Sequence, residues 1–418
     1  LFGSDPSNQF KPIWSVGAVW NAKNESFLQD VNWLSKLSVR FSYGLGGNAP
    51  QPGYGSPVDI IGSSTTPYVD HVVYIISSPA ANKIHWEKTT TKNLGVDFAF
   101  FQHRLYGSVD LYDKYTTDLL DSKPLDSTTG YTSIKSNVGE ISNKGVELFI
   151  KAHVVEKKNF SWNTTFNFGY NKNRVEELSY TSFYAARPQG AYAAENYVRL
   201  TEGEPMSAIY GYKYIGILQQ GETYDKQPNS QPGDPMYEDV NGDGVITPDD
   251  RTTIGEGIAP FQIGWGNNFQ IGNFDFSFFF DGSFGNSLLN MTRFYLEDQN
   301  RTVDAYKNRW TLKNPSTTVG RDNYTTASTY QYGSYVNSNF VEKAGFLRLS
   351  NVELGYNLPC KKLGIDKVIR AARVYVGGQR LFTFTKYSGF DPELSGIGVD
   401  RGQYPQPRTF VLGLNINL

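Results

Sequence analysis

The sequence contains a single cysteine, Cys360, among 418 residues, so no disulfide can join two parts of this chain. It has no stretch of about 20 consecutive apolar residues, the length that a membrane-spanning helix needs. The net charge is only −2 and basic residues form no run, which argues against nucleic acid as a partner. No glycine-rich loop follows a strand pattern and opens a helix, so no nucleotide site is expected. A mean hydropathy of −0.44 does not exclude a membrane protein, because the strands of a membrane barrel are half polar.

What the sequence does contain is a strict alternation of apolar and polar or small residues. In the last ten residues, Phe410, Leu412, Leu414, Ile416 and Leu418 fall on one face of an extended chain. Successive side chains of a strand point to opposite faces, so this pattern predicts a β-strand with one apolar side. Its length is close to the roughly 9–11 residues that cross a bilayer as a tilted strand.

The same alternation returns along the whole chain and predicts about eleven strands. They lie at residues 13–20, 37–46, 93–100, 105–111, 146–154, 160–170, 261–271, 274–281, before 357, around 374–376, and 409–418. The apolar positions, among them Phe166, Phe276 and Leu414, are expected to face hydrocarbon, while Asn167 and Asp275 are expected to face a watery lumen.

The connections between these strands are alternately short and long. The short or compact ones are 21–36, 102–103, 156–159, 272–273 and 357–371, and the long polar ones are 47–89, 114–143, 171–259, 282–344 and 387–406. A transmembrane antiparallel β-barrel is connected in this way, with short turns on the periplasmic side and long loops outside. Secreted β-sandwiches also contain alternating strands with core aromatics, but they have no reason to keep this order of connections. The fold prediction is therefore an all-β membrane barrel.

The number of strands predicts how much of a barrel is present. Single-chain bacterial barrels have an even number of strands and long loops outside. Successive antiparallel strands alternate in direction. If the number of strands is odd and the last one runs towards the periplasm, the first one also runs towards the periplasm and therefore starts on the outer side. We therefore expect residues 1–418 to be the C-terminal part of a longer barrel, without its N-terminal strands.

One stretch has the spacing of a metal-binding loop. Residues 239–250 (DVNGDGVITPDD) match the calcium loop of an EF-hand at positions 1, 3, 5, 6 and 12, with Asp in place of Glu at position 12. The predicted ligands are the side chains of Asp239, Asn241, Asp243 and Asp250 and the backbone carbonyl of Val245. The shorter Asp at position 12 weakens Ca²⁺ binding or lets Mg²⁺ compete. The alternative is a metal-free turn rich in Asp, Asn and Gly.

Several segments resemble the SusC/RagA type of TonB-dependent outer-membrane transporters. They are residues 33–47 (WLSKLSVRFSYGLGG), 233–251 (GDPMYEDVNGDGVITPDDR), 274–285 (FDFSFFFDGSFG), 346–359 (FLRLSNVELGYNLP), 374–391 (VYVGGQRLFTFTKYSGFD) and 404–418 (YPQPRTFVLGLNINL). The resemblance implies a 22-stranded outer-membrane barrel, of which about eleven strands are here. It also implies an N-terminal plug and a TonB-contacting segment, both absent from these residues, and a SusD-like surface lipoprotein as a lid. The implied substrate is an oligosaccharide or, in some members, a peptide.

The other candidate residues do not indicate an enzyme. The four histidines, His71, His85, His103 and His153, lack metal-ligand spacing. Asp275 and Asp281 could be paired carboxylates, but polar residues lining a lumen are the simpler interpretation. Aromatic residues in the long loops could stack on sugars or pack within the loops; they are Trp310, Tyr324, Tyr330 and Tyr332.

The sequence therefore predicts part of a TonB-dependent importer of a bulky nutrient. The alternative is a secreted carbohydrate-binding β-protein stabilised by calcium. The long loop at 171–259, which carries the calcium-loop motif, belongs to the outer side in the first interpretation.

Overall fold

The structure is a computed structural model that describes residues 11–50, 58–63, 71–81, 83–179, 182–184, 197–298, 302–321, 335–394 and 397–418. The strands are β1 Trp14–Trp20, β2 Leu34–Asn48, β3 Ile60–Ser63, β4 Tyr74–Ser78, β5 Glu87–Phe100, β6 Leu105–Pro124, β7 Ser133–Lys157, β8 Phe160–Leu178, β9 Ser182–Tyr184, β10 Val198–Leu200, β11 Ala208–Gly211, β12 Tyr214–Ile217, β13 Pro235–Tyr237, β14 Thr252–Glu256, β15 Phe261–Ile271, β16 Phe274–Phe284, β17 Ser287–Asn290, β18 Val341–Lys343, β19 Phe346–Asn357, β20 Ala371–Thr385, β21 Val399–Asp400 and β22 Thr409–Asn417. The α-helices are α1 Ser26–Gln29, α2 Met291–Asp298 and α3 Val303–Asn308. None of these described helices has the length and apolar character needed to cross a membrane.

The long strands form one sheet whose order follows the sequence. Within the described residues it has eleven strands in the order β1-β2-β5-β6-β7-β8-β15-β16-β19-β20-β22. The neighbours whose register is described are antiparallel, for example β15 with β16 and β19 with β20. The prediction of about eleven strands that follow one another along the chain in one sheet is confirmed.

The predicted bounds of two connections were wrong. Strand β6 continues to Pro124 and β7 begins at Ser133, so most of the connection predicted at 114–143 is strand. Likewise β8 continues to Leu178, so the connection predicted at 171–259 starts at 179. In these added segments of the strands the alternation of apolar residues stops, but the strands stay paired. Thr89 and Thr116, for example, are register partners, and their hydroxyls lie 2.9 Å apart. A strand that leaves the apolar layer can be polar on both faces, so its sequence resembles a loop.

The chain divides into two compact units. The first comprises Leu1–Ile150, Gly169–Ser182 and Thr201–Pro205, and the second comprises Lys151–Phe168, Phe183–Leu200 and Met206–Leu418. In the second unit a continuous row of apolar residues crosses the sheet through paired positions, and its members are Phe269, Phe276, Leu354, Val376 and Leu412. Leu354 is 46% exposed and Leu412 is 81% exposed, so this face is open rather than sealed in a core.

Among the described residues, most of the large side chains that are fully buried lie in the long connections of the second unit. One cluster comprises Tyr197, Ile209, Leu289, Met291, Phe294, Val336 and Phe340. Smaller sheets frame these connections, with the orders β14-β11-β10-β9, β12-β13 and β18-β17-β21. The connection that carries residues 239–250 therefore shares an apolar core with the connection between β16 and β19.

Candidate functional site

The predicted calcium loop follows β13 and ends in a single 3-10 turn, Pro248–Asp250. Asp239, Asp243 and Asp250 each offer a carboxylate oxygen, and these oxygens all lie within 4.8 Å of one another. Gly242 and Gly244 have φ values of 77° and 89°, a left-handed conformation that glycine adopts without a Cβ clash. The loop thus brings three predicted ligands together.

Backbone N–H groups hold two of the carboxylates in place. Asp239 accepts hydrogen bonds from the N–H of Gly242 at 2.7 Å and of Gly244 at 3.0 Å. Asp250 accepts from Val240 at 2.9 Å and from Thr247 at 2.7 Å, the second bond being part of a capping box. Asp250 is fully buried, so its position is fixed by the fold.

The two remaining predicted ligands, Asn241 and Val245, form hydrogen bonds with Asp243. The Asn241 side chain donates from Nδ2 to Asp243 Oδ2 at 3.0 Å, and its Oδ1 accepts from the Asp243 N–H at 2.9 Å. Val245 donates its N–H to Asp243 Oδ1 at 2.9 Å. Ligation by Asn241 and by the Val245 carbonyl stays a prediction.

A lysine that the sequence pattern did not reveal lies beside the loop. Lys226 Nζ is 3.0 Å from Asp239 Oδ2, and the Lys226 carbonyl accepts a hydrogen bond from the Ile246 N–H at 2.9 Å. The Lys226 ammonium holds the pKa of the Asp239 carboxyl below its usual value, and the N–H groups of Gly244 and Gly242 act in the same direction. Carboxylate oxygens suit Ca²⁺ or Mg²⁺, and any metal here competes with Lys226 for Asp239.

The polar face of the sheet carries an arginine network in each unit. In the first unit, Arg40 Nη2 lies 3.0 Å from Asp97 Oδ1 and 3.1 Å from Asp110 Oδ1. These three residues belong to β2, β5 and β6, where Arg40 is paired with Gly95, and Gly95 with Asp110. The glycine leaves room for the guanidinium to cross the strand: a Cβ at Gly95 would lie 2.7 Å from Arg40 Nη2.

In the second unit the corresponding network is centred on Arg373. Its Nη2 lies 2.6 Å from Glu353 Oε1, and its Nε donates to Asp275 Oδ1 at 3.1 Å. Asn357 donates to the same Asp275 oxygen at 2.9 Å. The sequence predicted that Asp275 faces the lumen but did not predict its partners Arg373 and Glu353. Each of these two is a charged residue inside an alternating strand, and that pattern could have indicated them.

The carboxylates Asp275 and Asp281 are not placed as a glycosidase pair. They lie six residues apart on one face of β16, a span of about 20 Å in a strand. Glycosidase carboxylates are about 5–9.5 Å apart. Asp275 is also engaged by Arg373, so the two residues cannot act on one bond.

The remaining candidates are distributed over the fold. Trp310 is only 8% exposed and donates from Nε1 to Gln219 Oε1 at 3.1 Å, so it packs within the connections. Tyr324, Tyr330 and Tyr332 lie outside the described residues. Within the described part of the chain, Asp239, Asp243 and Asp250 form a group of side chains that could bind a metal, and no histidine belongs to this group.

Taken together, these features define a class of protein. A sheet of eleven consecutive strands, with one exposed apolar face and one face of ion pairs, is the wall of a membrane β-barrel. The family model described as "TonB dependent receptor-like, beta-barrel" matches residues 3–379, and the chain belongs to this family. It is accordingly an outer-membrane protein.

Relatives and solved structures agree with this assignment. The chain is 34% identical over 433 residues to TonB-dependent receptor P3 of Formosa agariphila, covering 98% of this chain and 42% of that protein. It is 28% identical over 423 residues to TonB-dependent receptor SusC of Bacteroides thetaiotaomicron, covering 98% and 40%. The solved structure of the RagAB peptide importer in the open-open state matches with a TM-score of 0.82 and 26% identity, covering 100% of this chain and 44% of that one.

The chain therefore spans less than half the length of the relatives that it matches. The predicted resemblance to the SusC/RagA type is confirmed. These relatives are receptors and an importer by name rather than enzymes, in agreement with the expectation that the chain is not an enzyme.

Proposed function

We propose that this chain forms part of the wall of a TonB-dependent importer that carries a bulky nutrient, an oligosaccharide or a peptide, across the outer membrane. The observation that supports this most is the likeness to the RagAB peptide importer over the whole chain. The two faces of the sheet supply what transport requires, since the apolar row meets lipid while the arginine networks and other polar side chains line a route for a hydrated solute. In this proposal a SusD-like surface lipoprotein caps the barrel, and TonB supplies the energy for transport.

The alternative of a secreted carbohydrate-binding protein is not favoured, because the family is one of outer-membrane proteins. Uptake tests the proposal directly. A strain lacking the gene is supplied with fluorescent oligosaccharides or peptides, and cell-associated fluorescence is measured with and without the whole protein. Import of one class that requires both the protein and the proton-motive force supports the proposal, whereas uptake that is unchanged by deletion for both classes contradicts it.

The aspartate loop is proposed as a structural Ca²⁺ site, with Mg²⁺ as a competitor. Asp239, Asp243 and Asp250 would supply carboxylate oxygens, Asn241 and the Val245 carbonyl the others, and the metal would stabilise the connection between β13 and β14. Three carboxylates held close together without a divalent ion repel one another, and this arrangement supports the proposal. No step of transport is assigned to the metal.

Replacing the loop carboxylates is expected to abolish metal uptake. For Asp239→Asn and Asp243→Asn we expect Ca²⁺ affinity to fall at least tenfold each, because each change removes one charged ligand of a hard cation. Calorimetric titration of the whole protein in detergent measures this. Asp249→Asn is the matched control, since Asp249 is in the same segment but outside the converging group. Equal heats for all the proteins would contradict the proposed site.

Removing the competing lysine is expected to have the opposite effect. In Lys226→Met the apolar stem is retained and the charge is lost, so Ca²⁺ no longer has to displace an ammonium from Asp239. We expect affinity to rise roughly tenfold, because breaking the Lys226–Asp239 ion pair and repelling the nearby ammonium together cost the metal about 1 kcal/mol or more even in a watery environment. The same titration measures it, with Lys213→Met as the control at a lysine that pairs with Glu238 instead. Unchanged or weaker Ca²⁺ binding by Lys226→Met would show that Lys226 does not compete with the metal for Asp239.

A further inference from the structure

The connection between β19 and β20, residues 358–370, is the most basic of the short connections. It contains four basic residues and one acidic residue, Asp366, which gives a net charge of +3; the basic residues are Lys361, Lys362, Lys367 and Arg370. None of the other short connections exceeds a net charge of +1. Short connections belong to the periplasmic side of an outer-membrane barrel, so this charge lies at the periplasmic end of the sheet.

The four basic side chains are exposed to solvent. Residues 361–368 and Arg370 are all in the exposed class. Within the described residues none of the four basic side chains forms a salt bridge, whereas Arg40 and Arg373 on the polar face of the sheet are each held by two carboxylates. The positive charge of this connection is therefore free to attract an anionic partner.

Backbone hydrogen bonds keep this connection close to the ends of its strands. At its base the Leu358 N–H donates to the Ala372 carbonyl at 2.8 Å. Further along, Ile365 donates its N–H to the Cys360 carbonyl at 3.1 Å and accepts from the Ile369 N–H at 2.9 Å. The connection is therefore folded into consecutive turns instead of extending away from the sheet.

Aromatic rings mark the membrane boundary where this connection begins. Phe274 at the start of β16 and Tyr356 near the end of β19 are register partners, and their ring centroids lie 4.7 Å apart. Both lie on the apolar face and are 50% and 36% exposed, as expected for the aromatic girdle at the edge of a membrane barrel. The basic residues follow this girdle directly along the chain, so they lie at the level of the lipid head groups.

Large apolar side chains are interleaved with the basic ones. Leu363 is 56% exposed and Val368 is 70% exposed. Exposed apolar residues mixed with Lys and Arg are typical of segments that lie in the membrane interface, with the apolar groups among acyl chains and the charges at the head groups. Clusters of about four or more basic residues next to a membrane-spanning segment attract anionic lipids.

From these observations we infer that residues 358–370 bind anionic phospholipids of the periplasmic leaflet. The lipid phosphates contact the four basic side chains, and the acyl chains contact Leu363 and Val368. The membrane supplies this partner, because the chain is an outer-membrane protein. The inference rests on that assignment and is independent of the imported substrate, so a failed uptake assay does not bear on it.

The test measures which lipids the protein retains. The whole protein in a non-ionic detergent is mixed with equal amounts of phosphatidylglycerol and phosphatidylcholine that have identical acyl chains. It is then washed on an affinity resin, and the retained lipids are extracted and quantified. Phosphatidylcholine is the matched probe, since it carries the same phosphate but no net charge. We expect at least a tenfold preference for phosphatidylglycerol, because each Lys or Arg near an anionic surface contributes about fivefold.

Inorganic phosphate separates a lipid contact from the binding of a free anion. The washing step is repeated with millimolar inorganic phosphate in the buffer. Retention of phosphatidylglycerol in this buffer supports a lipid contact that includes the acyl chains. Its loss would show that the connection binds free phosphate, and the inference would then be wrong.

Variants locate the contact within the protein. The triple variant Lys361→Gln, Lys362→Gln, Lys367→Gln is expected to lower the preference for phosphatidylglycerol at least fivefold, whereas the triple replacement of the same lysines by Arg keeps the charge and is expected to change it by less than twofold. The matched control replaces three exposed lysines between β16 and β19 by Gln and is also expected to change it by less than twofold; they are Lys307, Lys313 and Lys343. Equal retention of the two lipids by the unaltered protein, or a preference that the first variant keeps in full, overturns the inference.

Discussion

Replacing Arg348 by Met is expected to release the loop that follows β20. Arg348 is 3% exposed and pairs with Asp391 at 2.7 Å and with Glu393. Asp391 in turn accepts the N–H groups of Glu393 at 3.0 Å and Gln406 at 3.4 Å, so the guanidinium holds the residue around which this loop is arranged. Removing one partner of a buried ion pair leaves an uncompensated charge and costs about 3–5 kcal/mol.

Hydrogen exchange measures the result most directly. The loop can open without unfolding the sheet, so we expect the free energy of local opening at residues 388–394 to fall by about 3–5 kcal/mol. Amide exchange there would accelerate by about two to more than three orders of magnitude, since each 1.4 kcal/mol is tenfold. Amides of β1 and β2 should be unaffected.

An exposed ion pair provides the control for this prediction. Lys213 and Glu238 form a salt bridge whose side chains are both largely exposed. Lys213→Met is expected to cost less than about 1 kcal/mol, the usual value of a surface pair. If Arg348→Met accelerated exchange no more than Lys213→Met, the loop would be held by other contacts and the assigned role of Arg348 would be wrong.

Placing an arginine on the apolar row is expected to destabilise the barrel in the membrane. Leu354 lies between Phe276 and Val376 in this row and is 46% exposed. A charged residue on the lipid face costs about 2–4 kcal/mol at the bilayer midplane and less near its surfaces. Leu354 is three residues from the end of β19, so for Leu354→Arg we expect a loss of about 2 kcal/mol.

The matched control puts the same residue on the opposite face of the same strand. Asn351 is paired with Phe279 and lies on the polar side with Glu353. Asn351→Arg is expected to change the free energy of unfolding by less than about 0.5 kcal/mol. Both are measured by denaturant unfolding of the whole protein refolded into lipid vesicles. Equal losses for the two variants would show that the row does not face lipid.

Local patterns were sufficient for much of the fold. The alternation in residues 274–281 and 409–418 predicted strands β16 and β22 and assigned the faces of Phe276 and Leu414, because a period of two is a property of each strand by itself. The pattern failed at 114–143 and 171–178, where the strands extend beyond the apolar layer and hydrogen bonding rather than hydrophobicity continues them. The spacing of Asp239, Asp243 and Asp250 likewise predicted a converging group, since one loop carries all three.

The sequence by itself determined the strands, their two faces and the loop of aspartates, because these depend on neighbours along the chain. Only the tertiary structure decided that Lys226 pairs with Asp239 and that Arg373 joins Asp275 and Glu353. Those contacts join residues on different strands and connections. They depend on strand register and on the folding of long loops, and no short pattern in the chain encodes either.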